Sequence, residues 1–300
     1  MIGETEVLVR VRAASANPLD WFAFNGTPYV ARPGFGLKKP DSVRLGADLA
    51  GVVEAVGRQV TGFQPGDEVF GAGTGSFAEL ATVGKTGALS AKPASLTFEQ
   101  AAAVPVAGLT ALQGLRDKGG IQPGQQVLIN GASGGVGTFA VQIAKTFDTQ
   151  VTAVCSTGNV EAVRALGADR VVDYTREDFT RDSGRYDLML DVAGSRPWSE
   201  TKRALRPDAI VVIVGAPKTN PWLGPLGHII GMSLASLPTR QKTTFFISKA
   251  DSDDLATLTD LIDSGKVTPV VEQTYPLSRV AEAMGYLGTG HARGKLVITI

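Results

Sequence analysis

Residues 127–145, VLINGASGGVGTFAVQIAK, constrain this chain more than any other stretch. An apolar run of strand length meets a tight glycine-rich turn, and a helix with an apolar face follows at once. Gly134, Gly135 and Gly137 let a backbone approach a ligand closely and let the helix pack against its strand. The first backbone amides of that helix then face outward, at the positive end of the helix dipole, where they suit a phosphate. Glycine turns are common. Here a further strand–helix–strand follows, which makes this one the opening unit of a dinucleotide-binding sheet.

The rest of the chain alternates between two textures. In residues 1–103, EVLVRVRAAS, GVVEAVG, QPGDEVFG and SFAELATVG read as short strands broken by turns such as Pro65-Gly66-Asp67. From 104 to 244, strand and helix alternate. QVLIN, QVTAVCS, DRVVDY, YDLMLDVAG and AIVVIVGA are continuous apolar runs, as expected of parallel strands buried on both faces. In the helix after the glycine turn, Val136, Ala140, Ile143 and Phe147 fall near one face. Residues 216–245 break this rhythm. Trp222, Leu226, Ile229, Ile230, Met232 and Leu234 make them apolar for a connector, suited to roofing a substrate pocket or to a homodimer interface. Residues 245–300 return to the first texture with two helices and a last strand, GKLVITI.

Composition narrows the function. Lys plus Arg and Asp plus Glu number 29 each, so the net charge is zero, which argues against a dedicated nucleic-acid binder. One cysteine, Cys155, excludes an internal disulfide and a cysteine-built zinc cage. The start lacks a signal-peptide core, and no apolar run approaches the roughly 20 residues of a membrane helix. A cytoplasmic protein with no membrane or nucleic-acid partner is expected. The coenzyme is read at the tip of the next strand, AVCSTGN. Cys155, Ser156, Thr157 and Asn159 stand there with no acid before Glu161. A carboxylate would bind a ribose 2′-hydroxyl and repel a 2′-phosphate, so hydroxyls in its place favour NADPH.

The glycine segment with its flank, GQQVLINGASGGVGTFAVQIAK, resembles the quinone oxidoreductase/zeta-crystallin signature of the medium-chain dehydrogenase/reductase superfamily. NPLDW, GADLAGVVEAVG, FQPGDEVFG, AAAVPVAGLTA, LGADRVVDY and GHARGKLVITI carry the resemblance along nearly the whole chain. It implies an α/β protein: a Rossmann doubly wound parallel sheet inserted into a GroES-like β-rich catalytic domain, with the active site in the cleft. Boundaries fall at 1–103, 104–244 and 245–300. Zinc-dependent relatives carry a Cys and a Gly-His-Glu motif where this chain has Asn17 and Gly46-Ala47-Asp48, so a zinc-free enzyme is implied.

By the same resemblance, Ser133, Gly134, Gly135, Val136 and Gly137 would contact the pyrophosphate. Ser156, Thr157 and Tyr174 would lie at the 2′-phosphate, and Gly194 and Gly215 would line the trough. Thr110, Phe246, His291, Ala292 and Arg293 would also approach the coenzyme, with Arg293 a candidate cation for the 2′-phosphate. Asn17, Asp20, Tyr29, Asp48 and Thr110 are the catalytic candidates. Relatives often carry a Tyr where this chain has Phe22, which leaves the proton donor open. Relatives also begin with an additional hairpin, so either the chain is truncated or its first strand is an open edge. The activity implied is NADPH-dependent hydride transfer to quinones or α,β-unsaturated carbonyls. Enoyl-thioester reduction, or NADPH binding with little turnover as a sensor or structural partner, are the alternatives.

Overall fold

A computed structural model of the 300-residue chain describes residues 2–32, 44–216 and 222–300. The chain divides into two compact units. The first comprises Met1–Gly26, Ala31–Leu109 and Lys249–Ile300; the second comprises Thr27–Val30 and Thr110–Ser248.

The first unit is built on β1 (Val7–Ser15), β2 (Asp48–Val56), β3 (Glu68–Ala72), β4 (Leu80–Val83), β5 (Ala88–Ala91), β12 (Val271–Pro276) and β13 (Lys295–Thr299). They form one sheet in the order β12-β13-β1-β2-β3-β5, with β4 also on β1. Strand β1 shows why the sequence folds so. Val7, Val9, Val11 and Ala13 are buried while Arg10 and Arg12 among them are exposed, the period of two of a half-buried strand. Its far side is covered by β4 over Val7–Arg10 and by β13 over Ala13–Ser15, so β1 is not an open edge. The core joins Val9, Leu49, Val53, Val69, Met284, Leu296 and Ile298. Helices α1 (Pro18–Asn25), α2 (Phe98–Ala102), α8 (Ser252–Asp263) and α9 (Val280–Gly288) belong to this unit, and α3 (Pro105–Gln113) leads out of it.

The second unit is a Rossmann-type sheet. Strands β6 (Gln126–Asn130), β7 (Gln150–Cys155), β8 (Arg170–Asp173), β9 (Tyr186–Asp191), β10 (Leu205–Ile213) and β11 (Lys242–Phe245) lie in the order β11-β10-β9-β6-β7-β8. All their pairings are parallel. Val127–Ile129, Leu188–Leu190 and Val211–Ile213 are fully buried, as central parallel strands require. Helices α4 (Gly135–Lys145), α5 (Val160–Ala165), α6 (Trp198–Ala204) and α7 (Pro225–Ser236) belong to this unit.

Two sequence expectations are corrected. Helix α4 is buried on every side from Gly137 to Ala144, so Phe139 and Val141 are as deep as Ala140 and Ile143, while Val136 and Phe147 are only half-buried. The presumed connector 216–245 contains α7 and the edge strand β11; its residues 217–221 lie outside the described residues. No helix among the described residues is long and apolar enough to cross a membrane.

Candidate functional site

Chain order reverses between β6 and β9, the neighbours whose carboxyl ends mark the ligand crevice of an open parallel sheet. The glycine turn leaves β6 there. Gly131 has φ +89°, a left-handed conformation that strains any other residue. The amides of Gly131 and Ala132 donate to the Val154 carbonyl, which ties the turn to β7. A Cβ on Gly137 would stand 2.2 Å from the Gly131 carbonyl oxygen, so only glycine lets α4 start this close to the turn. The N-cap, Gly134, brings no side-chain acceptor to the first amides of α4. A Cβ added to Gly134 would find its nearest neighbour 3.6 Å away, so the mouth of the turn is open. Uncapped amides behind an open glycine turn fit a phosphate diester.

The adenosine side lies past β7. Ser156 is half-buried, and its oxygen accepts from Asn159 Nδ2 at 3.0 Å, which leaves its own proton for a ligand. Thr157 differs: its hydroxyl donates to Asp173 Oδ2 at 2.6 Å and is already engaged. Hydrogen bonds led by that of Thr157 hold the Asp173 carboxyl below the usual carboxylate range. Tyr174 is 54% exposed, with its amide on the Cys155 carbonyl. Cys155 is buried; desolvation, then Asp173, push its thiol up to about 11, so it is no nucleophile at neutral pH.

On the other side of the switch, Gly194 and Gly215 are held by Asp191. The Gly194 amide donates to Asp191 Oδ1 at 2.9 Å, and the Gly215 amide to the Asp191 carbonyl at 3.1 Å. Thr110 Oγ1 donates to Ser248 Oγ at 2.9 Å, and the Phe246 ring packs beside Gly114. Tyr29 belongs to this unit too, edge-on to Trp222 with centroids 5.3 Å apart.

Asn17, Asp20 and Asp48 lie in the first unit, in a buried network the sequence did not reveal. Asp48 is fully buried. Its Oδ2 accepts from Ser15 Oγ at 2.6 Å, Asn17 Nδ2 at 2.9 Å and Lys295 Nζ at 3.2 Å, and its Oδ1 from the Val106 amide at 2.9 Å. Lys295 also donates to Asn17 Oδ1 at 2.6 Å and the Ala16 carbonyl at 3.2 Å. Asp20 accepts from the Asn17 amide at 2.9 Å and the Gly46 amide at 3.1 Å. Burial, then the neighbouring Asp48 charge, raises its pKa to about 6. These carboxylates are thus engaged by this chain's own donors. Nor does the cluster suit zinc, because an ammonium already holds the oxygens of Asp48 and Asn17, and no Cys or His stands among them. His291, Ala292 and Arg293 also lie in the first unit: the His291 and Arg293 amides donate to Thr289 Oγ1 and Glu272 Oε2, and Ala292 packs on the core.

Sequence reasoning missed Ser15 and Lys295, whose partners are distant along the chain. It also passed over Asn130 and Asp191, although each ends an apolar strand in a polar residue at the carboxyl edge of the sheet.

Known proteins agree with this architecture. Residues 3–94 match the family described as alcohol dehydrogenase GroES-like domain, and residues 166–298 the family described as zinc-binding dehydrogenase. The mitochondrial NAD(P)H oxidoreductase RTN4IP1 of Homo sapiens is 37% identical over 98% of this chain and 82% of its own length. The 2-methylene-furan-3-one reductase of Solanum lycopersicum is 33% identical over 99% of this chain and 72% of its own. The structure of the quinone oxidoreductase from Coxiella burnetii covers 100% of this chain and 92% of its own, with a TM-score of 0.86 at 29% identity. The uncapped glycine turn, the reversed sheet and the lysine-filled polar cluster thus have one common explanation: the chain belongs to the zinc-independent, quinone-oxidoreductase-like branch of the medium-chain dehydrogenase/reductase superfamily.

Proposed function

We propose that this protein is an NADPH-dependent reductase of quinones or α,β-unsaturated carbonyls that works without a metal. The observation that carries this is the crevice at the β6–β9 switch, with an uncapped helix start on one side and an acid-free β7 tip on the other. Amides of residues 135–137 would hold the diphosphate. Ser156 would donate to the 2′-phosphate, with Tyr174 beside it, and Gly194, Gly215, Thr110 and Phe246 would border the nicotinamide half. When bound, NADPH supplies a hydride; the protein supplies orientation and a dry surface. Hydride arriving at a conjugated carbonyl leaves negative charge on its oxygen, so a hydrogen-bond donor or acid nearby lowers the barrier.

The names of the relatives favour these acceptors, since two of the matched proteins are called a quinone oxidoreductase and a furanone reductase. NADPH oxidation is to be followed with 9,10-phenanthrenequinone and with a simple enone, each against NADH. Turnover with either acceptor, faster with NADPH, is expected. Silence on a broad panel of both classes would refute the activity, and equal rates with NADH would refute the coenzyme preference.

A further inference from the structure

Two buried polar atoms of the second unit lack a hydrogen-bond partner and face one another: Asp191 Oδ2 and His228 Nε2, 3.9 Å apart. Buried polar atoms are nearly always paired, so two orphans aimed at each other call for a reason. Their setting is defined. Asp191 ends β9 directly across from Asn130, which ends β6, at the reversal of strand order. Asn130 Nδ2 donates to Asp191 Oδ1 at 2.8 Å and to Ser195 Oγ at 3.1 Å, and the Gly194 amide completes that oxygen. Only Oδ2 is left over. His228 is the fourth residue of α7.

The pair is asymmetric. The Asp191 side chain is 1% exposed and that of His228 17%. Nδ1 of His228 is not among the buried unpartnered atoms, so the ring turns its sealed nitrogen to the carboxylate and leaves the other for solvent or a ligand. Among the described residues, Asp191 is the one charged group within ion-pair distance of this ring.

We infer that His228, backed by Asp191, is the acid that protonates the reduced substrate in this protein. This role rests on the carbonyl reduction proposed above. Hydride delivery leaves an electron pair on the substrate's carbonyl oxygen. The Nδ1–H bond of the imidazolium breaks, its electrons stay on the ring, and the proton forms an O–H bond on that oxygen. The neutral ring keeps its Nε2 proton toward Asp191 and regains the Nδ1 proton from water. Asp191 acts as a positioning residue, and an approach of about 1 Å closes 3.9 Å to a hydrogen bond. Such buried-carboxylate–histidine pairs fix the tautomer and orientation of the ring.

The test combines kinetics with nitrogen NMR on the full chain. His228→Gln is expected to lower kcat for an enone about 100-fold near neutral pH. It should also flatten the pH profile and remove the solvent deuterium effect, while NADPH affinity stays within about twofold. The chain has two histidines, so 15N signals of His228 are identified by their loss in that variant. Neutral His228 should carry its proton on Nε2 in the unmodified protein and lose that preference in Asp191→Asn. A His228→Gln enzyme with unchanged kcat, pH profile and isotope effect would overturn this role alone, as would an Nδ1–H tautomer. No turnover by the unmodified protein on any quinone or enone would overturn the activity and this role together.

Discussion

Replacing Asp48 with alanine removes a buried carboxylate that accepts four hydrogen bonds. The Lys295 ammonium, 4% exposed, would lose a carboxylate 3.2 Å away, and the Ser15 hydroxyl, Asn17 amide and Val106 amide would each lose an acceptor. At an effective dielectric of about 20, charges at this separation attract by about 5 kcal/mol. Breaking a buried pair by removing one partner costs about 3–5 kcal/mol, because the remaining charge stays dehydrated. Against a total stability of about 5–15 kcal/mol, that is a large share. Equilibrium urea unfolding measures the loss. Hydrogen exchange in β1 and β2 against β6 and β9 assigns it to a unit, and the loss belongs to the first. Lys295→Met should cost a similar amount, because it strands Asp48 instead. The double variant Asp48→Leu/Lys295→Met should lose clearly less than the sum of the two single losses, since it leaves no buried charge unpaired while the Ser15, Asn17 and Val106 donors still lack their acceptor. If each single variant lost less than about 1 kcal/mol, the pair would not hold the first unit together.

Further outcomes are expected at other residues. Gly137→Ala forces a methyl group to 2.2 Å from the Gly131 carbonyl. It should cost about 1–3 kcal/mol in the second unit and weaken NADPH binding by at least about tenfold, read by fluorescence titration. Asp20, with its pKa raised from 3.8 to about 6, binds protons more readily folded than unfolded, so its contribution to stability is fully present below about pH 4 and lost as pH rises through 6. Relative to Asp20→Asn, the parent should lose about 2–3 kcal/mol between pH 4 and 7 in urea titrations; parallel curves would contradict this. Ser156→Asp should reduce the preference for NADPH over NADH at least about tenfold, some 1.4 kcal/mol, in paired titrations. Cys155 should resist iodoacetamide at pH 7.5 in the native protein and react on unfolding, measured by mass spectrometry.

Much of this architecture is written locally. QVLIN, QVTAV and YDLMLD announce parallel strands by unbroken apolarity, and the glycines after Asn130 announce the bend, because both features arise from neighbours along the chain. Lys295 is different. GKLVITI reads as a strand whose lysine would ordinarily be solvated, and only the pairing of β13 with β1 carries that ammonium to Asp48, 247 positions away. Residues 216–245 misled for a related reason. Helix α7 leaves Leu226, Ile230 and Leu234 exposed, so its apolar residues do not mark a single buried face from which a helix could be read. Thr157 shows the same limit at the coenzyme site: its hydroxyl suits a phosphate in sequence, but β8 places Asp173 against it.

A glycine bend that holds a phosphorylated coenzyme is probed most directly by amide hydrogen exchange of its backbone groups with and without NADPH. Protection is predicted in residues 131–137 and 154–157, stronger with NADPH than with NADH at matched concentration. Unchanged exchange at both segments, under a large excess of NADPH, would contradict it.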